Sequence, residues 1–473
     1  MRFYRLFLAA LLLILIAAPT AAQDETAAIT FPTPLSELFG VVEITGTVNL
    51  PNVQSYFFEV SDFLSDPAST TWLPVTLPSN AIVTDGVLAQ WDTRVLPTGV
   101  YALRLRVFLT TGEIVEVLVR PIVVDNSLAP VVEAEPTPEP TPTVVPRPNV
   151  VSDLPIPVGG QMDTFDDDAV AFMQQAGMTW MKWQIPFVIG DSNLINVARD
   201  RINYAHENGF FALLSIKGNK DDLRELGADY YPLLAEFMGT IATLQPDAIQ
   251  VWNEQNLDRE WPNGRINPAS YTEMLRQAYE AIKAVDPQIR VITGAPAPTG
   301  AEGFFGQNAV WNDDRYYLGM ANAGAARYAD CIGIHYNEGI LPPSAQGGDP
   351  RGEYPTYYFQ QMIQRAFFPF RLNGADIPLC FSELGYLSPD GYGALPSGFA
   401  WGANTSVAEQ AQWLRDAILL ASQSTSPRVE LIIVFNVNFT RFIDGDPQGG
   451  YAIIRPDGSC PACETIASLR GSP

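Results

Sequence analysis

Apolar residues run unbroken from Leu6 to Ala18, behind the cations Arg2 and Arg5 and ahead of Pro19-Thr20-Ala21-Ala22. A helix needs about 20 apolar residues to span a bilayer. This shorter run, followed at once by small residues, predicts a secretory signal peptide over residues 1–22, cleaved near Ala22. No later stretch has that character, so no membrane span is expected after cleavage. The period then falls to two. In Tyr101-Ala-Leu103-Arg-Leu105-Arg-Val107 large apolar side chains alternate with Arg104 and Arg106, which turns one face of a strand inward and the other to water. Thr110-Thr-Gly112 leads into a partner strand over Glu113 to Val119. Phe39 to Leu50, Tyr56 to Val60 and Val87 to Asp92 supply earlier strands, with Pro or Gly between them. Residues 23–130 are therefore expected to form a small all-β sandwich of immunoglobulin-like type, with Trp72 and Trp91 in its core.

Between 131 and 150 the chain reads VVEAEPTPEPTPTVVPRPNV. Alternating prolines hold such a segment extended and leave too few apolar residues for a core, so it is read as a semi-rigid linker. After it, short apolar runs alternate with longer amphipathic ones. The runs are Pro155 to Gly160, Thr179 to Gln184, Phe211 to Ile216, Ala248 to Trp252, Arg290 to Gly294, Cys331 to His335, Pro378 to Ser382 and Glu430 to Phe435. Helical periodicity covers Leu194 to Asn208, Tyr231 to Leu244, Tyr271 to Val285 and Val407 to Ser422. Eight strand-helix units over 151–473 predict one α/β domain, a (β/α)₈ TIM barrel.

Asp and Glu number 52 against 28 Lys and Arg, a net charge of −24. Such a surface repels nucleic acid and anionic lipid and suits neutral or cationic ligands. With the leader, it fits a secreted protein, extracellular or held at the cell surface. There are four cysteines, so the core must come from packing rather than from a disulfide framework. Cys460-Pro-Ala-Cys463 reads as a local disulfide or as plain thiols. With no second close Cys pair and two histidines, His206 and His335, far apart, a zinc site is poorly served. No cofactor is implied.

Side chains at the carboxyl ends of barrel strands point into the active site of this fold. Ala248-Ile-Gln-Val-Trp252 leads straight into Asn253-Glu254 after the fourth strand, and Pro378-Leu-Cys-Phe-Ser382 into Glu383-Leu-Gly385 after the seventh. The 129 residues between the two glutamates amount to three strand-helix units of about 40. A second Asn-Glu pair, Asn337-Glu338, follows the sixth strand, so the dipeptide alone is no signal. Position directly after an apolar strand selects Glu254 and leaves Glu338 as the reserve acid/base or a substrate contact. Glycoside cleavage needs one carboxylic acid to protonate the departing oxygen and one carboxylate across the anomeric carbon. Glu254 and Glu383 meet that need.

On these residues the chain resembles the clan A glycoside hydrolases, whose acid/base follows strand four in an Asn-Glu pair and whose nucleophile follows strand seven. VWNEQNLDREW, the later Tyr271 and AIKAVDPQIRV look most like glycoside hydrolase family 39, the β-xylosidase and α-iduronidase group. The resemblance spans Pro155 to Leu469. Gln255 departs from it, standing where those enzymes have Pro. What it implies is a retaining mechanism, with Glu383 as nucleophile, Glu254 as acid/base, and Asn253 bonding the sugar 2-hydroxyl. His335 and Tyr336 would be the strand-six residues that position the nucleophile.

Sugar rings present apolar C–H faces, so aromatic platforms are expected around the site. Trp183, Trp261, Trp311 and Trp401 lie in or after strand ends, and Trp261 is the first choice because it shares the catalytic loop. Phe435-Asn436-Val437-Asn438 occupies the place where many clan members carry a Trp after strand eight. The expected function is hydrolysis of a β-linked poly- or oligosaccharide. The alternative is a non-catalytic barrel that binds polysaccharide at the cell surface.

Overall fold

The computed structural model describes residues 26–63, 71–126 and 144–471. The expected signal peptide over 1–22 and most of the expected linker lie outside the described residues. The chain divides into two compact units, Met1–Glu139 and Pro140–Pro473.

The first unit holds strands β1 (Thr26–Phe31), β2 (Glu37–Leu38), β3 (Val41–Asn49), β4 (Val53–Asp62), β5 (Leu73–Pro74), β6 (Val83–Asp92), β7 (Gly99–Leu109) and β8 (Ile114–Val124). They form two sheets, ordered β1-β3-β6 and β2-β8-β7-β4-β5. Between the sheets lie Ile44, Leu88 and Trp91 from one and Tyr56, Phe58, Leu103 and Leu105 from the other. The alternation in β7 works as expected. Its arginines face outward, Arg104 on Glu59 at 2.6 Å and Arg106 on Glu116 at 2.9 Å. Trp72 departs from expectation: it lies outside the core, with the Arg104 guanidinium 4.0 Å above its ring. Strand β1 was not legible, since TAAITF has no clear alternation.

The second unit is the barrel. Its strands are β9 (Val158–Gln161), β10 (Trp180–Pro186), β11 (Phe211–Lys217), β12 (Ala248–Val251), β13 (Arg290–Thr293), β14 (Ile332–Tyr336), β15 (Leu379–Leu384) and β16 (Val429–Val434). All eight overlap the expected apolar runs, β9 beginning three residues later than expected and β10 ending two residues later. They lie in the order β13-β12-β11-β10-β9-β16-β15-β14 with parallel neighbours. A parallel bridge between Ile292 and Cys331 joins the two ends. The helices are α1 (Asp167–Ala176), α2 (Asn193–Glu207), α3 (Lys220–Leu226), α4 (Tyr230–Ala242), α5 (Pro268–Val285), α6 (Glu302–Phe305), α7 (Asp313–Asn322), α8 (Phe359–Leu372), α9 (Val407–Ser422) and α10 (Pro461–Ala467). The longest, α5, shows why the sequence breaks where it does. Asn267 caps it by accepting from the Ala269 and Ser270 amides, and Met274, Leu275, Ala278 and Ile282 bury one stripe.

Inside, the floor is apolar: Trp180, Leu213, Ala248, Ile292, Leu431 and Ile433, with Cys331 and Cys380 joined as a disulfide. Because strand residues alternate faces, the residue two beyond a floor residue enters the next layer. Trp180, Ala248 and Cys380 are thus followed by the buried polar Lys182, Gln250 and Ser382. Cys460 and Cys463 form the second disulfide, at the start of α10. The end of the expected linker belongs to the barrel. The Val145 amide donates to Asn203, Arg147 pairs with Asp286 at 2.7 Å, and the His206 ring lies between the Val145 carbonyl and Asp247.

The closing seam depends on Gly333. Its amide donates to Thr293 Oγ1 at 2.9 Å, and a Cβ on it would lie 2.2 Å from the Thr293 carbonyl oxygen. Gly333→Ala is expected to lower the unfolding free energy by about 1 to 3 kcal/mol, read from urea unfolding of the purified protein.

Candidate active site

Beyond Val251 the chain turns sharply. Trp252 and Glu254 both take left-handed backbone, with φ of 72° and 49°, a region that costs a non-glycine residue of order 1 kcal/mol or more. Buried amides hold the turn in place. The Glu254 amide donates to the Ala295 carbonyl at 3.0 Å, and Gln255 Nε2 to the Gly294 carbonyl at 2.9 Å. Asn256 Nδ2 donates to the Ala297 and Trp311 carbonyls, both at 2.9 Å, and its Oδ1 accepts from the Ala297 amide at 2.7 Å. Gln255, the point of departure from the family pattern, is therefore an anchor that ties the loop to the end of β13.

Glu383 stands inside β15 rather than after it. The register between β14 and β15 slips between Ile334 and His335, so that His335 pairs with Glu383. Such a bulge re-aims a side chain, and the consecutive Ser382 and Glu383 both find partners inside the barrel. Ser382 accepts from Gln250 at 3.2 Å. Lys182 Nζ donates to Glu383 Oε1 at 3.1 Å and to the Ser382 carbonyl at 2.9 Å, while Asn337 Nδ2 donates to Glu383 Oε2 at 3.2 Å. Lys182 has no exposed surface. Burial pushes its ammonium below the usual lysine range, and the Glu383 carboxylate opposes that shift.

Between the two glutamates sits His335, also fully buried. Its Nδ1 is 3.2 Å from Glu254 Oε1 and 3.6 Å from Glu383 Oε2. One oxygen of each carboxylate and one ring nitrogen all lie within 4.8 Å of one another. Three such groups resemble a metal site, but the Lys182 and Arg259 cations already face the same carboxylates, which disfavours a further cation. Burial alone would raise the Glu254 carboxyl. The Arg259 guanidinium, bonded to its Oε2, outweighs burial together with His335 and holds it down at about 2.

These residues open on a cleft of about 890 Å³. Gln161 Oε1, Trp183 Nε1, Asn253 Oδ1 and Asn337 Oδ1 are buried in its wall without a hydrogen-bond partner among the described residues. Partly exposed aromatic rings, Phe399, Trp401, Phe435 and Phe439, line it as well. Glu338 is a further carboxyl in the cleft, beside Glu254, Glu383 and Glu260. Burial pushes it up to about 7, against the Thr356 hydroxyl that donates to it at 3.0 Å and against Arg351.

The structure therefore brings together Glu254, Glu383, Asn253, His335, Glu338, Trp183 and Trp401. It does not bring in Trp261 or Tyr336. Trp261 is 2% exposed, packs edge-on against Trp252 and Tyr271, and donates from Nε1 to the Arg265 carbonyl. The loop carries it past the cleft into the barrel wall. Tyr336 points outward, because the residue after His335 in a strand faces the other side. Its hydroxyl donates to the Tyr357 carbonyl at 2.9 Å. Trp311 packs against Tyr316 rather than in the cleft. Sequence reading missed Lys182, Asn337 and Arg259. Lys182 did leave a signal, a lone cation inside the apolar run Thr179-Trp-Met-Lys-Trp-Gln184.

No protein-family model matches the chain, and no curated protein matches it. Among solved structures it is similar to the endo-1,4-beta-mannanase of Rhizomucor miehei, at 12% identity over 66% of this chain and 94% of that one, with a TM-score of 0.43. A glucosidase from Croceicoccus marinus is 14% identical over 69% of each chain, with a TM-score of 0.44. A family 51 alpha-L-arabinofuranosidase from Bifidobacterium longum is 13% identical over 69% of this chain and 74% of that one, with a TM-score of 0.41. At this distance the barrel stands on its own strand order, and the site on its own geometry.

The raised Glu338 carboxyl makes a stability prediction whose sign is set by linkage. Its folded value of about 7 exceeds the ordinary 4.5, so ionising it disfavours the folded state progressively as pH rises between those values. Glu338→Gln should gain stability relative to the parent across that window and hold a constant gain above it. Urea midpoints of both proteins at a series of pH values test this, and a gain that is flat with pH would contradict it.

Proposed function

We propose that the barrel is a secreted glycoside hydrolase of clan A that cleaves a β-linked poly- or oligosaccharide with retention, Glu383 acting as nucleophile and Glu254 as acid/base. The observation that carries this reading is the closeness of the two carboxylates, with an oxygen of each within 4.8 Å. Retaining enzymes place their carboxyl groups about 5 to 5.5 Å apart, whereas inverting ones leave about 6.5 to 9.5 Å for a water. The family 39 affiliation rests on the motif around Glu254 and goes with this proposal, as does an immunoglobulin-like type for the sandwich.

In the first step Glu383 attacks the anomeric carbon and Glu254 gives a proton to the departing oxygen. In the second, Glu254 takes a proton from water, which displaces Glu383 from the sugar. Lys182 and Asn337 meet both oxygens of Glu383, which orients it for attack and for departure. His335, between the carboxylates, sets their spacing. Asn253 Oδ1, unpaired in the cleft wall, suits a sugar hydroxyl, and bonds there strengthen as positive charge grows on the ring. The rings of Phe399, Trp401, Phe435 and Phe439 offer apolar faces to the C–H faces of sugars.

Hydrolysis of aryl β-glycosides and polysaccharides by the parent, Glu254→Gln and Glu383→Gln tests the assignment. Glu383→Gln should abolish turnover of every substrate. Glu254→Gln should lower kcat/KM about a hundred- to ten-thousandfold where the leaving group needs a proton, and far less for dinitrophenyl glycosides, whose departure does not, although their kcat should still fall because the second step loses its base. Proton NMR of the first-formed sugar should show the substrate's own anomeric configuration. A parent protein that binds polysaccharide but cleaves nothing in the panel would favour the binding-barrel alternative.

A further inference from the structure

Arg259 follows Glu254 by five residues on the same loop. Its Nη2 bonds Glu254 Oε2, and its Nε lies 3.6 Å from Glu260 Oε1. Glu260 Oε2 is in turn 2.6 Å from Lys217 Nζ. Lys217, Glu260, Arg259 and Glu254 thus form a string of alternating charges along the wall of the cleft. Its members differ in freedom. The Glu254 and Glu260 side chains are 11% and 10% exposed, whereas that of Arg259 is 63% exposed. Arg259 is the member with room to move, and a second carboxylate already waits beside it.

Resting on the acid/base reading of Glu254, we propose that Arg259 is a positioning residue that controls when Glu254 holds a proton, clamping its carboxylate in the free protein and passing to Glu260 when a substrate enters. Proton transfer requires the glycosidic oxygen to come within hydrogen-bond reach of the carboxyl. Of the two Glu254 oxygens, Oε1 faces His335 and Oε2 carries Arg259, so a proton on Oε2, and the leaving group that would take it, must compete with the guanidinium until it withdraws. Withdrawal to Glu260 leaves Arg259 paired. Glu254, now a buried carboxyl without its cation beneath a sugar, then favours the neutral form. One proton comes from solvent onto Oε2 as substrate binds, passes to the departing oxygen, and is replaced by one from the attacking water.

The groups whose charge acts on Glu254 come from several elements: Arg259 and Glu260 from its own loop, Lys182 from β10, His335 from β14, Glu338 and Tyr451 from later loops, and Glu383 from β15. Among the cations, Arg259 is the one that lies largely in solvent, which is why the switch is assigned to it. Burial raises the Glu254 carboxyl, and in the clamped arrangement the Arg259 guanidinium on Oε2 outweighs it together with His335.

The test begins without any ligand. Full-length protein carrying ¹³C-carboxyl glutamate is titrated between about pH 3 and pH 8, with the Glu254 signal identified by its loss in Glu254→Gln. Glu254 should stay ionised throughout in the parent. In Arg259→Gln its midpoint should rise by about one to three pH units, and Arg259→Lys, which keeps the charge, should leave it low. An unchanged midpoint in Arg259→Gln overturns the clamp whether or not the protein is active. On an aryl β-glycoside whose leaving group needs the proton, kcat/KM should fall by about tenfold per pH unit through neutrality while kcat stays level, and in Arg259→Gln the pH at which that fall begins should move up by the same one to three units. Parallel profiles for the parent overturn substrate-driven release. A parent inactive on every glycoside removes the hydrolase reading and the release step with it, and the titration still decides the clamp.

Discussion

A cation with no contact to water is tolerated only beside an anion, and Lys182 has no exposed surface. That constraint organises the barrel mouth. β10 delivers the ammonium two residues above the apolar floor, so β15 must present a carboxylate at the same height. The bulge at Glu383 does this without giving up Ser382, which pairs with Gln250. His335 then stands within reach of Glu383 and Glu254 at once, and the spacing of the two carboxylates follows from it. Removing either member of the Lys182–Glu383 pair would leave the other buried and unpaired, at a cost of several kcal/mol.

The two glutamates are held in opposite ways. Glu383 is held by Lys182, fully buried inside the barrel, and by Asn337, which stands in the cleft wall just after β14. Glu254 is carried on a left-handed turn pinned by Gln255 and Asn256, but its strongest partner, Arg259, lies mostly in solvent. On the proposed reading this asymmetry suits the chemistry. A nucleophile keeps one charge state until it bonds carbon, whereas an acid/base must change charge twice in each cycle.

Much of the barrel was legible because each strand is a short apolar run between longer amphipathic ones, and the fully buried strands of a parallel sheet require that pattern. The glutamates were legible for a related reason: a carboxylate placed at once after such a run sits at the carboxyl end of a strand. Other positions were not. Trp261 and Tyr336 share their neighbours' motifs, yet side-chain direction depends on one residue of register and on the course of a loop. A tryptophan is equally at home in a wall or in a cleft. Lys182 was visible as an odd cation in a strand, but nothing local says which anion it meets 201 residues away.

By itself the sequence determined the element types and order, the barrel strands, and the two glutamates at strand ends, because hydrophobic periodicity and strand-end position are local properties of the chain. Only the tertiary structure decided that Lys182 and Asn337 hold Glu383, that Gln255 anchors the Glu254 loop, that Arg259 covers Glu254, and which aromatic rings face the cleft. Those facts depend on distances between residues far apart in sequence and on which way a side chain turns. Both are settled when the sheet closes on itself and the loops pack over its mouth.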